Sequence, residues 1–268
     1  MIHPTAIVED GAVLGASVSI GPYAHIGPKV VLDDGVEIFS HAVVAGHTHV
    51  GARTRIWPFA SVGHQPQDLK FRGEPSRLEI GADCMIREHA TLSPGTEGGG
   101  MLTSVGDGCL FMMGSHVGHD CVVGSGVIMA NNATLGGHVS VGDHAVLGGL
   151  CAVHQWVRIG VGAMVGGMAG VERDVIPYGS VIGNRAHLGG LNTIGLRRRG
   201  ADRETIRALR LAVDRLFEDE GPMSERADRV AAGFPGNAMV AELAVFVSGT
   251  TRRRFCLPRG KLIEAEEA

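Results

Sequence analysis

Residues Met113 to Asp143 read MGSHVGHDCVVGSGVIMANNATLGGHVSVGD, and the fold is decided there. An apolar residue recurs at every sixth position: Val117, Val123, Met129, Leu135 and Val141. The same stretch holds most of the side chains able to move a proton. Counted outward, the period starts at Ile2, Val8, Leu14 and Ile20 and reaches Val62 without a miss. It resumes at Ile80, Ile86 and Leu92, then continues from Val105 to Val171.

A fixed hexapeptide period fits neither the 3.6-residue helical period nor strand alternation. It is the signature of a parallel β-helix, in which each six-residue unit forms one flat face and three faces close a coil. Four positions after the anchors stand small or short residues such as Ala24, Ala42, Cys121, Ala133 and Ala163. They are expected to point inward beside the large anchors, because a narrow prism cannot hold two bulky residues per face. Glycine follows many anchors, as at Gly15, Gly118, Gly136 and Gly142, where it is expected to turn the corner.

The chain has 268 residues, 4% aromatics and a net charge of -4. This balance gives no reason to expect nucleic-acid binding. No stretch approaches the ~20 apolar residues of a membrane span, and Met1-Ile2-His3-Pro4 is not a signal peptide, so a cytoplasmic protein is expected. Of five cysteines, Cys84, Cys109, Cys121 and Cys151 fall on the small inward position and none is in a CxxC spacing. They read as reduced core residues, with no metal and no cofactor expected. The fold class is mainly β: a β-helix over residues 1–190 and a small helical domain over 191–268. Two external loops interrupt the rod near 63–79 and 93–104. The first keeps the anchor frame, since Val62 to Ile80 is eighteen residues and reads as one full coil; the second shifts it by one residue. Polar excursions on a rigid rod are where ligand contacts usually sit.

Residues eighteen apart stack on neighbouring coils, so His119, Gly137 and Gln155 are expected in one column. Asp120, His138 and His154 lie one position to either side, which gathers these groups within roughly 10 Å. A histidine whose charge is supported by an adjacent carboxylate suits general base catalysis. Cys121 points inward, and Ser115 and Ser125 lack a Ser-His-Asp setting, so direct transfer of an acyl group fits better than a covalent intermediate. His41, His47 and His49 read as solvent-facing positions, and His144 as an even choice between surface and site.

These residues match a known family. The stretches QDLKFRGEP (Gln67 to Pro75), HVGHDCVVG (His116 to Gly124), ANNATLGGHVSVGD (Ala130 to Asp143), AVHQ (Ala152 to Gln155), MVGG (Met164 to Gly167) and GLRRRG (Gly195 to Gly200) closely resemble the UDP-N-acetylglucosamine O-acyltransferases, which open lipid A synthesis in Gram-negative bacteria. The resemblance implies a left-handed parallel β-helix, against the usual crossover preference, and a homotrimer with active sites between neighbouring rods. It implies transfer of an (R)-3-hydroxyacyl group from acyl carrier protein to the glucosamine 3-hydroxyl of UDP-N-acetylglucosamine.

By motif position, the resemblance makes His119 the base, Asp120 its partner and Gly137 the oxyanion amide. His116, His138, His154 and Gln155 would contact substrate, and Asp68 and Lys70, with Gln67 beside them, would reach the sugar. Asn192, Arg198 and Arg199 would meet the nucleotide. Gly167 matches the position that limits acyl length, and its missing side chain argues for a long chain. Two departures stand out: Ser93-Pro94-Gly95-Thr96 replaces a frequent His-Arg-Gly-Thr, and Ile194 stands where an acidic residue is usual.

Other readings remain open at this stage. The acceptor could be a 3-amino UDP-sugar. A sibling N-acyltransferase has a further N-terminal domain, whereas the repeat here begins at residue 2. A zinc-dependent carbonic anhydrase shares the rod and uses three histidines, and a non-catalytic scaffold needs none of them. Beyond the rod, Ile206, Leu209, Val213, Leu216 and Phe217 recur at helical spacing, with Asp202 as cap and Gly221-Pro222 as stop. Ser224 is expected to cap a second helix, and Asn237 to Val247 to form a third. Arg197 to Arg199 and Arg252 to Arg254 are basic clusters that could attract an acidic carrier or a diphosphate.

Overall fold

Most hexapeptides contribute one two-residue strand whose second residue, the anchor, points inward; Ile7–Val8, Val13–Leu14 and Ser19–Ile20 begin the series. Strands eighteen residues apart pair in parallel, with Val117 against Leu135 and Leu135 against Val153. The computed structural model describes residues 1–249 and 252–260. Among these, the strands form three sheets of nine, eight and ten members, the faces of a left-handed parallel β-helix.

Anchors and corner residues fill the interior as ladders. Leu135, Met129 and Leu147 are fully buried, and so are Cys121, Ala133 and Ala145 beside them. Burying one such large anchor contributes about 1.5–3 kcal/mol, so stability is spread evenly along the rod.

The glycines that follow the anchors are there for a different reason from the one expected. Gly118 and Gly142 do not adopt positive φ; instead, a Cβ on Gly142 would lie 2.5 Å from the Val161 nitrogen, and one on Gly118 2.8 Å from the Leu135 oxygen. Close stacking of successive coils, not the turn, excludes a side chain. The left-handed residue comes two positions later and is often not glycine: Asp120 (φ 58), His138 (φ 62) and Trp156 (φ 67). Such a conformation costs about 1–2 kcal/mol per residue, and the stacked coils hold it in place.

The first excursion also corrects an expectation. Val50 pairs with Ile80 and Val62 with Leu92, thirty residues on in each case. Val62 and Ile80 are therefore consecutive anchors of one coil with twelve residues inserted between them, not the two ends of a coil. Twelve is two hexapeptides, so the count survives the insertion unmarked. The second excursion is shorter, and Ile80 pairs with Val105. Residues 63–76 and 93–101 both leave at the corner joining the first face to the second. That corner also carries residues 118–121, 136–139 and 154–157.

The rod ends where Gly179–Ile182 pairs in parallel with Met164–Val165 and antiparallel with His187–Leu191. Among the described residues the helices α1 (Thr193–Arg198), α2 (Arg203–Glu218), α3 (Met223–Gly233) and α4 (Ala238–Ser248) follow. Asp202 caps α2 by accepting from the Thr205 amide, and Asn237 caps α4 by accepting from the Val240 amide. Ser224 lies within the first turn of α3, whose N-cap is Pro222, so it is not the cap expected. The chain then returns to the rod, pairing Phe255 with Asp174 and Pro258 with Leu188. Among the described residues no helix is long and apolar enough to cross a membrane.

Candidate active site

Register alone stacks three turns at the corner described above. The His138 amide donates to the His119 carbonyl at 2.9 Å, and the Trp156 amide to the Gly137 carbonyl at 3.2 Å. His119, Gly137 and Gln155 thus occupy equivalent places on successive coils, and Asp120, His138 and Trp156 the places after them. The His119 ring lies over Gly137, where a Cβ would come 2.5 Å from ring atoms Cε1 and Nε2.

Asp120 is buried and fixes that ring. Its Oδ1 accepts from the Thr96 amide at 2.8 Å, and its Oδ2 accepts from the Thr96 hydroxyl at 2.6 Å. The His119 Nδ1 lies 2.7 Å from the same Oδ2. An ionised carboxylate only accepts, so this contact places a His119 proton on Nδ1; in the neutral ring Nε2 is then the accepting nitrogen. The Thr103 hydroxyl accepts from the Asp120 amide and holds the left-handed turn.

Further imidazoles surround this pair. His138 packs edge-on to His119 with ring centroids 4.9 Å apart, and stacks face to face on Trp156 at 3.8 Å. Burial pushes the His138 pKa down, aided by the His119 and Arg252 charges and opposed by Asp120 and Asp68. His116 lies on the first face, its Nδ1 2.7 Å from the Thr91 hydroxyl, and burial lowers its pKa too, with the His119 charge adding to the effect. Both therefore favour the neutral, hydrogen-bonding form. His144 is exposed. Cys121 is no nucleophile, since burial pushes its thiol up to about 12.

The loops complete a cavity of about 460 Å³. Gln67, Asp68, Lys70 and Glu74 line it from the first excursion, and Thr96, Glu97 and Gly98 from the second; the rod supplies His119, His138, Gln155 and Trp156. The Glu74 carboxylate ties the loops together by accepting from the Arg72 and Glu97 amides. His154 stands at the rim, with its Nδ1 2.8 Å from Arg253. Among the described residues, His119, Asp120 and His138 are the one group whose potential metal-ligating atoms lie within 4.8 Å of one another. The Asp120 oxygens are already occupied by Thr96 and His119, an arrangement suited to proton transfer rather than to an ion.

Other expected site residues lie elsewhere in the protomer. Gly167 is at the corner between the third and first faces, beside exposed Leu150 and Met168. Asn192 caps α1, accepting from the Gly195 amide and donating to the Gly162 carbonyl. Arg198 is exposed at the end of α1, and Arg199 places its guanidinium over the Tyr178 ring at 5.4 Å. His49 is solvent-facing as expected, its side chain 41% exposed, and is also held between Asp33 and Glu79 at 3.0 and 3.1 Å. Sequence reasoning missed Thr103 and Trp156, took Thr96 only as part of a departure from the family pattern, and took Arg252 and Arg253 only as part of a basic cluster. Trp156 did leave a signal, being eighteen positions after His138.

Comparison with known proteins agrees with this geometry. The family profile described as UDP N-acetylglucosamine O-acyltransferase, domain 2, matches residues 174–256, and the bacterial transferase hexapeptide profile matches residues 103–137. The acyl-(acyl-carrier-protein)--UDP-N-acetylglucosamine O-acyltransferase of Brucella ovis is 48% identical over 96% of this chain and 92% of its own length. The solved UDP-N-acetylglucosamine acyltransferase from Campylobacter jejuni is 36% identical with a TM-score of 0.91, covering 97% of this chain and all of its own. The enzyme of Moraxella catarrhalis, also 36% identical, reaches 0.92 over 95% of this chain and 99% of its own. Identity at this level across nearly the full length of the chain and of its relatives shows that the chain belongs to the UDP-N-acetylglucosamine O-acyltransferase family.

Proposed function

We propose that the chain transfers an (R)-3-hydroxyacyl group from acyl carrier protein to the 3-hydroxyl of UDP-N-acetylglucosamine, in one direct step at His119. The observation carrying this reading is the His119 ring, fixed through Nδ1 by buried Asp120 and lining the cavity above a residue with no side chain. His119 Nε2 takes the hydroxyl proton as the oxygen attacks the thioester carbonyl carbon. The Gly137 amide, which donates to no described group, holds the oxyanion. Collapse breaks the carbon–sulfur bond, and the thiolate leaves with the proton from His119. Asp120 stabilises the imidazolium in between, and no covalent enzyme intermediate forms.

Asp68 and Lys70 orient the sugar with Gln67 and Gln155, while His116, His138 and His154 supply further substrate contacts. Asn192, Arg198 and Arg199 meet the nucleotide, Asn192 from its capping position. The working form is a homotrimer. A single protomer presents its cavity on an open corner, whereas Gly167, Leu150 and Met168 offer an apolar corner elsewhere; set against the His119 corner of a neighbouring copy, they would form an acyl groove. Lacking a side chain, Gly167 leaves that groove open to a long chain. Residues 1–190 form the transferase rod and the described residues from 191 onward the helical domain, the rest of 191–268 lying outside the described residues; the protein works in the cytoplasm, where its unpaired cysteines stay reduced.

The test is mass spectrometry of product from purified protein given UDP-N-acetylglucosamine and a set of 3-hydroxyacyl carriers. An acylated sugar cleaved by mild base identifies the ester, and the absence of any acylated sugar would move the test to a 3-amino UDP-sugar as acceptor. His119→Ala is expected to lower the rate at least ~100-fold with UDP-sugar binding retained. Retained activity in that variant would end the general-base assignment.

A further inference from the structure

The returning C-terminal segment carries two arginines onto Trp156 and Gln155, two residues that line the cavity. Its backbone is anchored to the last coil: the Asp174 amide donates to the Arg254 carbonyl, and the Cys256 amide to the Asp174 carbonyl, both at 2.8 Å. From this base the Arg252 guanidinium lies 3.8 Å above the Trp156 ring. Arg253 donates from Nε to the Gln155 carbonyl at 3.2 Å and reaches His154 Nδ1 with Nη2 at 2.8 Å. The stack is continuous from Arg252 through Trp156 to His138, which meets the edge of His119.

We propose that Arg252 and Trp156 are positioning residues for the acyl transfer, a clamp from the C-terminal segment that fixes His138 face-on beneath Trp156 and edge-on to His119. The inference rests on the reading of His119 as base. His138 Nδ1 lies 3.8 Å from Asp120 Oδ2, the oxygen that holds His119. A charged His138 would compete for that oxygen and repel the imidazolium that His119 becomes. The groups acting on His138 are Asp120 and Asp68, which favour its charged form, and His119 and Arg252, which oppose it. Removing Arg252 takes away one opposing charge and loosens the stack.

Two measurements test this, one of them independent of turnover. In the full-length protein, the His138 imidazole titration is followed by NMR in wild type, Arg252→Gln, Arg252→Lys, Trp156→Leu and Arg254→Gln, alongside kcat/KM against pH. For Arg252→Gln, both the His138 pKa and the acid limb of the rate profile are expected to move up by about half to one unit, a loss of about 3- to 10-fold in rate on that limb. Trp156→Leu should shift in the same direction, while Arg252→Lys should stay near wild type. Arg254→Gln removes an equal charge from the same segment without touching the stack, and its His138 titration should superimpose on wild type. An unmoved His138 titration in Arg252→Gln would overturn the clamp, as would an equal shift in Arg254→Gln or a change confined to KM. If His138 titrates as expected while His119→Ala keeps its activity, the clamp stands and the general-base reading falls.

Discussion

Replacing Gly137 by alanine should inactivate the enzyme without unfolding it. The added Cβ would sit 2.5 Å from His119 Cε1 and Nε2 and 3.0 Å from Nδ1. Non-bonded atoms rest at about 3.5–4.0 Å, so the ring must retreat by about 1 Å. Its freedom to do so is limited by the 2.7 Å contact to Asp120, and a retreat of that size carries the pair beyond hydrogen-bonding range. A 1 Å misplacement of a reacting group costs about 100-fold, or about 2.7 kcal/mol in the barrier. The backbone offers no objection, since Gly137 does not adopt positive φ; at a compatible site Gly→Ala stabilises by about 0.4–1 kcal/mol through the unfolded chain. The peptide N–H is kept, so the effect isolates the ring from the oxyanion donor. The assay is product formation under saturating substrates, with Tm measured on the same samples. In a His119→Ala background the second change should be nearly silent, because the two act through one group. Full activity in Gly137→Ala, or an equal loss in both backgrounds, would refute the reasoning.

Three further outcomes are expected. Asp120→Asn, whose single oxygen cannot serve the Thr96 amide as well as the Thr96 hydroxyl and His119, should lower kcat by about 10²–10⁴-fold with modest change in KM, measured by steady-state kinetics. Cys121→Ala should retain turnover within about threefold, and Cys121 in the folded protein should resist alkylation at pH 8, since burial holds its thiol near 12; labelling read by mass spectrometry checks both. Hydrogen bonding to Asp33 raises the His49 pKa above its unfolded value, helped by Glu79 and opposed by partial burial. The raised value means that this stabilisation is complete below the unfolded pKa near 6.5 and fades as pH rises through the higher folded value. His49→Ala should therefore lower Tm more at pH 5.5 than at pH 8.5, and an equal loss at both would remove the ion-pair explanation.

The hexapeptide period was legible because it is local. Every large inward anchor must be followed by a corner and then another anchor, so the rod's cross-section is written into each six residues. The same count placed His119, Gly137 and Gln155 on one edge, since coils of fixed length convert sequence distance into stacking. The count could not separate Val62 and Ile80 as neighbours from the ends of a coil, because an insertion of two hexapeptides leaves the frame unchanged. Nor could it show that both insertions leave from the edge bearing His119, which brings Thr96 onto Asp120 and Glu74 onto Glu97.

Sequence alone thus determined the repeating prism, its interior and the alignment of an imidazole with a glycine on the next coil. Tertiary structure decided what surrounds that alignment. Arg252 and Arg253 return from beyond four helices to meet residues 154–156, a contact between segments separated by nearly a hundred positions. No periodicity encodes such a contact; it depends on how the helices turn the chain back onto the final coil.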